Sequence, residues 1–207
     1  LGQCFLYDKQ MVSFIVRCAG KLPGSAVLEI GTGPGIITPL LCEKADWVTG
    51  IEIDRKLYEM CCSAVSEYKN IDMINSNVIE NKKRLHPEIL ALLRAHAEAG
   101  KTIKMVSNLP FNAASKVLTL LLESDVHFSN IVVTVQKEVG RRLTANPGTK
   151  DYGPFTLFTR IYADVEVVRD ISRSLFWPKP KVDVSIVKIK PSTVRLSRLK
   201  RDRKSVV

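Results

Sequence analysis

The sequence feature that most constrains the fold is a glycine-rich loop between an apolar run and a helical segment. The run Ala26–Ile30 (AVLEI) predicts a buried strand, and Gly31–Gly35 (GTGPG) follows it directly. Glycines allow positive φ and close approach of the backbone to a ligand. A strand, a glycine loop and a helix through Leu41, in that order, predict the first half of a nucleotide-binding βαβ unit.

An acidic residue lies near the end of the next predicted strand, Trp47–Ile53. Glu52 follows Gly35 by 17 residues. An acid about 20 residues past a glycine loop can accept hydrogen bonds from both ribose hydroxyls of an adenosine. The alternative is a tight turn followed by an exposed acid. The glycine spacing is GxGxG, whereas a pyrophosphate-binding fingerprint is GxGxxG, and this difference disfavours a dinucleotide.

Strands and helices continue to alternate, which predicts a doubly wound α/β sheet. Further strands are predicted at Ile71–Asn75, Ile103–Ser107, Ile131–Gln136, Ala163–Arg169 and Val182–Lys190. Helices are predicted at Asp8–Ala19, Arg55–Val65, His86–Ala99, Ala113–Leu122, Lys137–Leu143 and Phe155–Tyr162. In such sheets ligands bind at the carboxyl ends of the strands where the strand order reverses. We therefore expect the glycine loop, Glu52, Asn77 and Asn108 to converge on one crevice.

The tetrapeptide Asn108–Phe111 (NLPF) follows the fourth predicted strand. The Asn108 side-chain oxygen and the next backbone carbonyl can accept hydrogen bonds from an exocyclic NH₂ group. Pro110 stiffens the turn, and Phe111 offers a face on which an unpaired base can stack. The alternative is an ordinary strand-to-helix turn in which Phe111 covers the core.

Composition limits the class of protein and of partner. With 207 residues, 45% hydrophobic and 25% charged, the chain is long enough for one well-cored domain. The net charge of +10 indicates a polyanionic partner, with nucleic acid ahead of an acidic membrane surface. No apolar run is long enough to span a bilayer. Five cysteines without CxxC spacing disfavour a disulfide framework and a zinc site, and no metal site is predicted.

Basic residues cluster in the second half of the chain, where they are candidates for phosphate contact. The predicted RNA-binding side chains are Lys137, Arg141, Arg142, Lys150, Lys179 and Lys181. The last two belong to Phe176–Lys181 (FWPKPK), whose aromatics, prolines and lysines suit a rigid loop that stacks on a base and touches phosphate. The alternative is a Pro-rich connection with a core Phe. The tail Arg195–Lys204 is either a solvated linker or a nucleic-acid arm.

The ordered set LGQCFL, VLEIGTGPG, GIEID, SNLPFN, VQKEVGRRL and FWPKPKVD resembles the KsgA/Erm family of S-adenosylmethionine-dependent ribosomal RNA adenine N6-methyltransferases. The resemblance spans residues 1–191, the predicted catalytic domain. It implies an α/β, Rossmann-like methyltransferase fold with helices on both faces of a mostly parallel sheet and an antiparallel last strand. Residues 192–207 are then a basic tail or the start of a C-terminal helical domain.

The resemblance also implies a cofactor site and a target-adenine site. Asn108, Leu109, Pro110 and Phe111 would hold the adenine, with Phe176 against its other face. S-adenosylmethionine would be bound by Gln3, Cys4, Leu6, Gly31, Gly33, Gly35, Glu52, Ile53, Asn77, Val78 and Asn108. Three positions depart from the family pattern, which has His or Asn at Cys4, Asp at Asn77 and Tyr at Phe111.

The resemblance leaves the substrate open between two branches. KDYGPF and FWPKPKVD favour the KsgA side, whose members dimethylate two adjacent adenines near the 3′ end of small-subunit rRNA; the Erm side modifies large-subunit rRNA. Two competing functions are a weakly catalytic assembly or transcription factor on the same fold and a DNA adenine methyltransferase. We expect a cytoplasmic monomer that acts on a small-subunit particle. Because the chain begins at Leu1 and not at Met, we expect a natural N-terminus upstream, and an organellar location stays open.

Overall fold

The structure is a computed structural model that describes residues 4–81 and 84–192. Strands and helices alternate along much of these ranges, most regularly over residues 5–75 and 84–144. The strands are β1 (Phe5–Leu6), β2 (Ser25–Ile30), β3 (Trp47–Glu52), β4 (Ile71–Asn75), β5 (Ile79–Glu80), β6 (Arg84–Leu85), β7 (Thr102–Asn108), β8 (Phe128–Gln136), β9 (Ala163–Ile171), β10 (Phe176–Trp177) and β11 (Val184–Pro191). The helices are α1 (Lys9–Cys18), α2 (Thr38–Cys42), α3 (Arg55–Ala64), α4 (Pro87–Glu98), α5 (Ala114–Glu123), α6 (Lys137–Thr144) and α7 (Pro154–Tyr162).

The central sheet has seven strands in the order β4-β3-β2-β7-β8-β11-β9. The first five strands in this order pair in parallel. Strand β11 is the last strand of the described residues and pairs antiparallel with both β8 and β9. The predicted α/β architecture, a mostly parallel sheet with an antiparallel last strand, is therefore confirmed.

Both faces of the sheet are buried, because successive side chains of a strand point to opposite sides. On β2, Ala26 and Leu28 pack into one apolar layer with residues of α4, α5 and α7. Val27, between them, packs into the other layer with residues of α1 and α2. The helices therefore cover two faces, and the functional surface is left to the edge where the strands end.

Helix α1 shows how local sequence sets an element. The Asp8 side chain accepts a hydrogen bond of 2.8 Å from the Met11 backbone N–H and so caps the first turn. Apolar residues at helical spacing are buried beneath it, including Val12 and Ile15. The predicted helix Asp8–Ala19 matches the observed one to within a residue at each end.

Several element boundaries differ from the prediction. The helix after the glycine loop was expected to run from the loop through Leu41, but α2 covers only Thr38–Cys42. The chain between Gly33 and Ile37 forms turns, because positive φ at Gly33 and Gly35 is incompatible with a helix. The two-residue strands β1, β5, β6 and β10 were not predicted, since so short a segment shows no periodicity.

The strand order reverses between β2 and β7. The glycine loop follows β2, and Asn108 ends β7, so these two sequence features lie side by side. No helix within residues 4–81 and 84–192 is long and apolar enough to cross a membrane. The basic tail Arg195–Lys204 lies outside the described residues.

Candidate active site

A cavity of about 560 Å³ opens at the carboxyl edge of the sheet, where the strand order reverses. This is the position at which α/β sheets bind ligands. The cavity brings together most of the predicted site residues, which are Cys4, Gly31, Gly33, Glu52, Ile53, Asn77, Val78, Asn108, Leu109, Pro110 and Phe111. The expected convergence of the four polar features on one crevice is confirmed.

Three predicted site residues do not line this cavity, and a fourth cannot be placed. Leu6 and Phe176 are 1% and 2% exposed and belong to the core. Gly35 faces α3, where an added Cβ would lie 3.1 Å from the Cβ of Ala64. Gln3 lies outside the described residues. Leu6 turns inward because β1 alternates, so that its neighbour Phe5 takes the cavity side.

The glycine loop packs tightly against two neighbouring segments. Gly31 has a φ of +76°, and a Cβ there would lie 3.0 Å from Cδ of Pro110. Gly33 has a φ of +57°, and a Cβ there would lie 3.0 Å from two ring carbons of Phe5. Any other residue would be strained by its backbone and would also push against these neighbours. The loop therefore connects the N-terminal segment with the tetrapeptide Asn108–Phe111.

Glu52 is held rigidly at the tip of β3. The side chain is 4% exposed, and its two oxygens accept hydrogen bonds from the backbone N–H groups of Gly33 (2.8 Å) and Asp54 (3.0 Å). Asn75 donates a 2.8 Å hydrogen bond to the Glu52 backbone carbonyl. Each carboxylate oxygen keeps lone-pair capacity, so the group can accept two further hydrogen bonds from a ligand diol.

The Asn108 side-chain amide is bonded at both ends. Its Nδ2 donates to the backbone carbonyl of Cys4 at 2.9 Å. Its Oδ1 accepts a hydrogen bond from the hydroxyl of Thr134, which lies opposite on β8 and is fully buried. These two contacts fix which end is the oxygen, and they leave Oδ1 one more lone pair for a ligand.

The Phe111 ring at the end of the tetrapeptide lies near a second aromatic ring, that of Phe176. The Phe111 and Phe176 ring centroids are 6.5 Å apart, and the rings are inclined by 59°. Phe176 pairs with Leu6 between β10 and β1, which keeps its ring in the core behind Phe111. Its neighbour Trp177 is 70% exposed. A base in the cavity can therefore reach the Phe111 ring without any rearrangement, whereas stacking on Phe176 requires this ring to move.

A second carboxylate lies beneath the glycine loop. Glu29 is 1% exposed, and its Oε2 has no hydrogen-bond partner within the described residues. Burial, assisted by the nearby charge of Glu52, raises the pKa of Glu29 to about 8, although a hydrogen bond with Thr38 opposes the shift. Glu29 is therefore mainly protonated at neutral pH.

The predicted RNA-binding residues differ in their surroundings. Lys137 forms a 2.6 Å ion pair with Asp170, so its charge is already paired. Arg142 lies over the Phe155 ring at 5.9 Å. The remaining predicted side chains, Arg141, Lys150, Lys179 and Lys181, are exposed. Lys179 and Lys181 lie in the loop between β10 and β11, next to the cavity edge of the sheet.

Two residues of this site were missed in the sequence. Phe5 covers Gly33, and Thr134 orients Asn108. Thr134 lies in an apolar run and is typical of a strand interior, so its role depends on the register between β7 and β8. Phe5 could have been found from the LGQCFL match, since the residues on either side of it were selected. Cys4 contributes its backbone carbonyl, and burial raises the pKa of its thiol.

Comparison with known proteins places this arrangement in a family. The profile described as ribosomal RNA adenine dimethylase matches residues 1–203. The chain belongs to the ribosomal RNA adenine dimethylase family. The match extends over almost the whole chain and includes every cavity residue described above.

Individual members of the family are similar in sequence to this chain over most of its length. Ribosomal RNA small subunit methyltransferase A of Alkaliphilus metalliredigens is 36% identical over 91% of this chain and 63% of that protein. The protein of the same name from Caldanaerobacter subterraneus is 37% identical over 91% of this chain and 68% of that protein. The chain thus spans about two thirds of the length of these relatives.

Two solved structures superpose on most of this chain. A dimethyladenosine transferase from Plasmodium falciparum gives a TM-score of 0.77 at 27% identity, covering 93% of this chain and 65% of that one. The 23S rRNA methyltransferase ErmE gives 0.74 at 26% identity, covering 91% of this chain and 70% of that one. Both branches that the sequence left open therefore share this fold.

Proposed function

We propose that this chain is the catalytic part of an S-adenosylmethionine-dependent enzyme that methylates adenine N6 in ribosomal RNA. The proposal depends on one observation: Asn108–Phe111, the glycine loop and Glu52 all line the same cavity. The first feature suits an adenine with its amine, and the other two suit the adenosine of a cofactor. The substrate we propose is a pair of adjacent adenines near the 3′ end of small-subunit rRNA.

The cavity has features that fit the cofactor. Its volume of about 560 Å³ lies within the range of cavities that bind drug-sized ligands. Gly31 and Gly33 form part of the cavity wall, and the fixed Glu52 carboxylate can accept from two hydroxyls. Ile53, Leu57 and Val78 add apolar surface for a purine ring. When bound, S-adenosylmethionine supplies an electrophilic methyl group on a positively charged sulfur.

The residues of the chain position the target amine. The adenine amine is a weak nucleophile because its lone pair is delocalised into the ring. The Asn108 Oδ1 and the Leu109 carbonyl would each accept a hydrogen bond from the amine and so draw its two N–H bonds out of the ring plane. This localises the lone pair on the amine nitrogen. Phe111 would hold the base by stacking. Catalysis is then mainly orientation, which contributes up to about 7–11 kcal/mol in well-aligned systems.

The names of the relatives favour the small subunit as substrate, whereas the likeness to ErmE keeps the large subunit as the second candidate. We infer that the protein acts as a monomer in the cytoplasm, on ribosomal RNA within a small-subunit particle. A role as a weakly catalytic binding factor is disfavoured by the intact bonding of Asn108. A DNA substrate would not account for the family match.

The proposal is tested by transfer of labelled methyl groups from S-adenosylmethionine. The full natural protein is incubated in parallel with unmethylated small-subunit particles, large-subunit RNA and duplex DNA, and Asn108→Ala serves as the inactive control. We expect label on adenine N6 of the small subunit only. Label on large-subunit RNA would assign the protein to the second candidate substrate, large-subunit rRNA. No label on any substrate, with the cofactor still bound, would refute the proposed methyltransferase activity.

A further inference from the structure

Lys116 places a positive charge on the wall of the cavity that follows the tetrapeptide Asn108–Phe111. It lies in the first turn of α5, is exposed, and lines the cavity together with Asn112 and Ala113. Among the described residues that line the cavity, only Lys116 and Glu52 have charged side chains. Glu52 has a place in the proposed cofactor site, whereas the sequence patterns and the family resemblance did not indicate Lys116.

The charge of Lys116 is not explained by contacts within the protein. No carboxylate of the described residues forms an ion pair with its ammonium group. A cation in the first turn of a helix is also opposed by the helix dipole, and the first turn of α5 has no acidic residue to compensate for it. Residues that conflict with their local structure are expected at functional sites. An anionic ligand at the cavity would relieve this conflict.

The strand order separates Lys116 from the part of the cavity that suits the cofactor's ribose. Glu52 ends β3, whereas α5 follows β7, and β2 with its glycine loop lies between these two strands. With the ribose of the cofactor at Glu52, as proposed above, Lys116 belongs to a different wall. It follows Phe111, the ring on which the target base would stack, by five residues. Lys116 therefore lies on the side of the target nucleotide.

Two anionic groups can reach this wall, a backbone phosphate of the RNA and the carboxylate of the cofactor. S-adenosylmethionine has a net positive charge, because its sulfonium adds to a zwitterionic amino acid, so a lysine gains little from the cofactor as a whole. An RNA phosphate is a net anion, and phosphates flank each nucleotide within the chain on both sides. A base that enters the cavity leaves its ribose and phosphates at the mouth, where an exposed lysine can bind them.

We propose that Lys116 binds a backbone phosphate next to the target adenosine once the base has entered the cavity. The inference rests on the proposed function and adds a phosphate-binding residue to the target side of the site. The contact differs from those expected of Lys179 and Lys181, because it forms only when the adenine is in place. Lys116 thus stabilises the state in which the base has left its stack, which is otherwise costly to reach.

Methylation of unmethylated small-subunit particles by the full natural protein tests this role. We expect Lys116→Gln to lower kcat/KM for the particle by about tenfold at low salt, as for one lost hydrogen bond to a charged group. The slope of log kcat/KM against log salt should become shallower by about 0.7, the value for one phosphate of a single strand. The dissociation constant of S-adenosylhomocysteine should change by less than about twofold. Lys116→Arg should recover most of the activity.

The matched control is Lys44→Gln, which removes the same charge at an exposed position before β3. It should leave kcat/KM and its dependence on salt unchanged. Circular dichroism verifies that both variants fold. Because Lys116 is exposed and opposed by the helix dipole, its replacement should not lower the stability of the protein.

A neutral phosphate analogue identifies the group that Lys116 binds. RNA hairpins with two adjacent adenines in the loop are prepared with a methylphosphonate, which has no charge, at each phosphate that flanks these adenines in turn. Affinities are measured by fluorescence anisotropy with saturating S-adenosylhomocysteine. For the wild-type protein, one of these replacements should weaken binding by about tenfold. For Lys116→Gln, the same replacement should weaken binding by less than about twofold, because the partner of the phosphate is already missing.

Each outcome decides a different question. Equal losses in the wild-type protein and in Lys116→Gln at every phosphate would overturn the proposed contact, and so would an unchanged kcat/KM. Weaker binding of S-adenosylhomocysteine by Lys116→Gln, with an unchanged dependence on salt, would assign the lysine to the cofactor carboxylate and would also overturn the proposal. Absence of methyl transfer by the wild-type protein would refute the proposed function and the inference with it. Normal transfer by both proteins would refute the inference alone.

Discussion

At the residue scale, the orientation of the Asn108 amide depends on a side chain that lies outside the cavity. Thr134 is fully buried on β8, and its hydroxyl is the donor that orients the Asn108 amide. If this contact were lost, the amide could rotate and the oxygen would no longer be fixed in the direction that we propose for the target amine. Thr134 is thus a positioning residue, acting through Asn108.

The contribution of Thr134 can be measured with an isosteric variant. Thr134→Val keeps the volume and removes the hydroxyl, so we expect kcat for methyl transfer to fall by about tenfold, as for one lost hydrogen bond. The KM for S-adenosylmethionine should stay unchanged. Thr134→Ser, which restores a hydroxyl, should recover most of the activity. An equal loss in the Val and Ser variants would point to packing alone.

Glu29 illustrates how burial changes the pH dependence of stability. Its pKa of about 8 in the folded protein exceeds the ordinary value of about 4.5 that applies to the unfolded chain. Between these values the folded state binds more protons, so the free energy of unfolding falls as pH rises. The stabilisation is fully present below the unfolded pKa and is lost as pH rises through about 8.

We expect Glu29→Gln to remove this dependence, because an amide does not titrate. The slope of the unfolding free energy between about pH 5 and 8 should become less negative by up to about 1.4 kcal/mol per pH unit. Denaturant unfolding at several pH values measures it. Glu67→Gln, at an exposed position, is the control and should keep the wild-type slope. Parallel curves for Glu29→Gln and wild type would show that Glu29 is ionised in the folded state.

At the element scale, the short antiparallel pair β1–β10 joins two parts of the site. Phe5 and Trp177 are partners in this pair, and the Phe5 ring lies on the glycine loop at Gly33. The same N-terminal segment accepts the hydrogen bond from Asn108 through the Cys4 carbonyl. Two paired residues per strand thus connect the glycine loop with strand β10, which contains Phe176.

Because of this packing, we expect substitution of Gly33 to weaken ligand binding in a way that a general loss of protein stability would not explain. Gly33→Ala adds a Cβ 3.0 Å from the Phe5 ring at a positive φ, so we expect the affinity for S-adenosylhomocysteine to fall by about tenfold or more. Gly148→Ala is the matched control, with a φ of +83° and no neighbour within 4 Å of the added Cβ. Both variants should lose about 1 kcal/mol of stability from backbone strain, and Gly33→Ala should lose more because its Cβ also pushes against the Phe5 ring. Only the first should lose affinity, and calorimetry can decide this.

At the scale of the whole molecule, the basic side chains behind the +10 net charge differ in how available they are to bind RNA. Lys137 is neutralised by Asp170, whereas Lys179 and Lys181 are exposed near the cavity edge. Phosphate contacts release counterions, so affinity for RNA decreases linearly with salt on a logarithmic scale. The lysines of this loop are therefore better candidates than Lys137 for binding the RNA around the target base.

Salt titration of RNA binding tests this assignment. We expect the double variant Lys179→Ala/Lys181→Ala to reduce the slope of log K against log salt by about 0.7–0.9 for each phosphate contact removed. The control is Lys44→Ala/Lys69→Ala, at exposed positions that precede β3 and β4 on the opposite edge of the sheet. It should leave the slope unchanged. Equal reductions in both variants would mean that the whole surface contributes without preference.

Local patterns in the chain were enough to predict the βαβ alternation, the glycine loop, Glu52 and the tetrapeptide Asn108–Phe111. Each of these is encoded by apolar periodicity, by residues that permit special backbone angles or by a polar group at the end of a strand. The convergence of these features on one crevice also followed, because the carboxyl ends of parallel strands share one edge. Family resemblance added Cys4, Ile53 and Val78, and together with the residues reached from local patterns they make eleven predicted site residues that line the cavity.

Long-range packing settles which of these residues face the cavity and how their polar atoms are used. Leu6 and Phe176 turn into the core, because the register of β1 with β10 assigns their sides. Thr134 meets Asn108 through the pairing of β7 with β8, and the raised pKa of Glu29 depends on the layers that bury it. These properties arise from contacts between residues far apart in the chain, and no local pattern encodes such contacts.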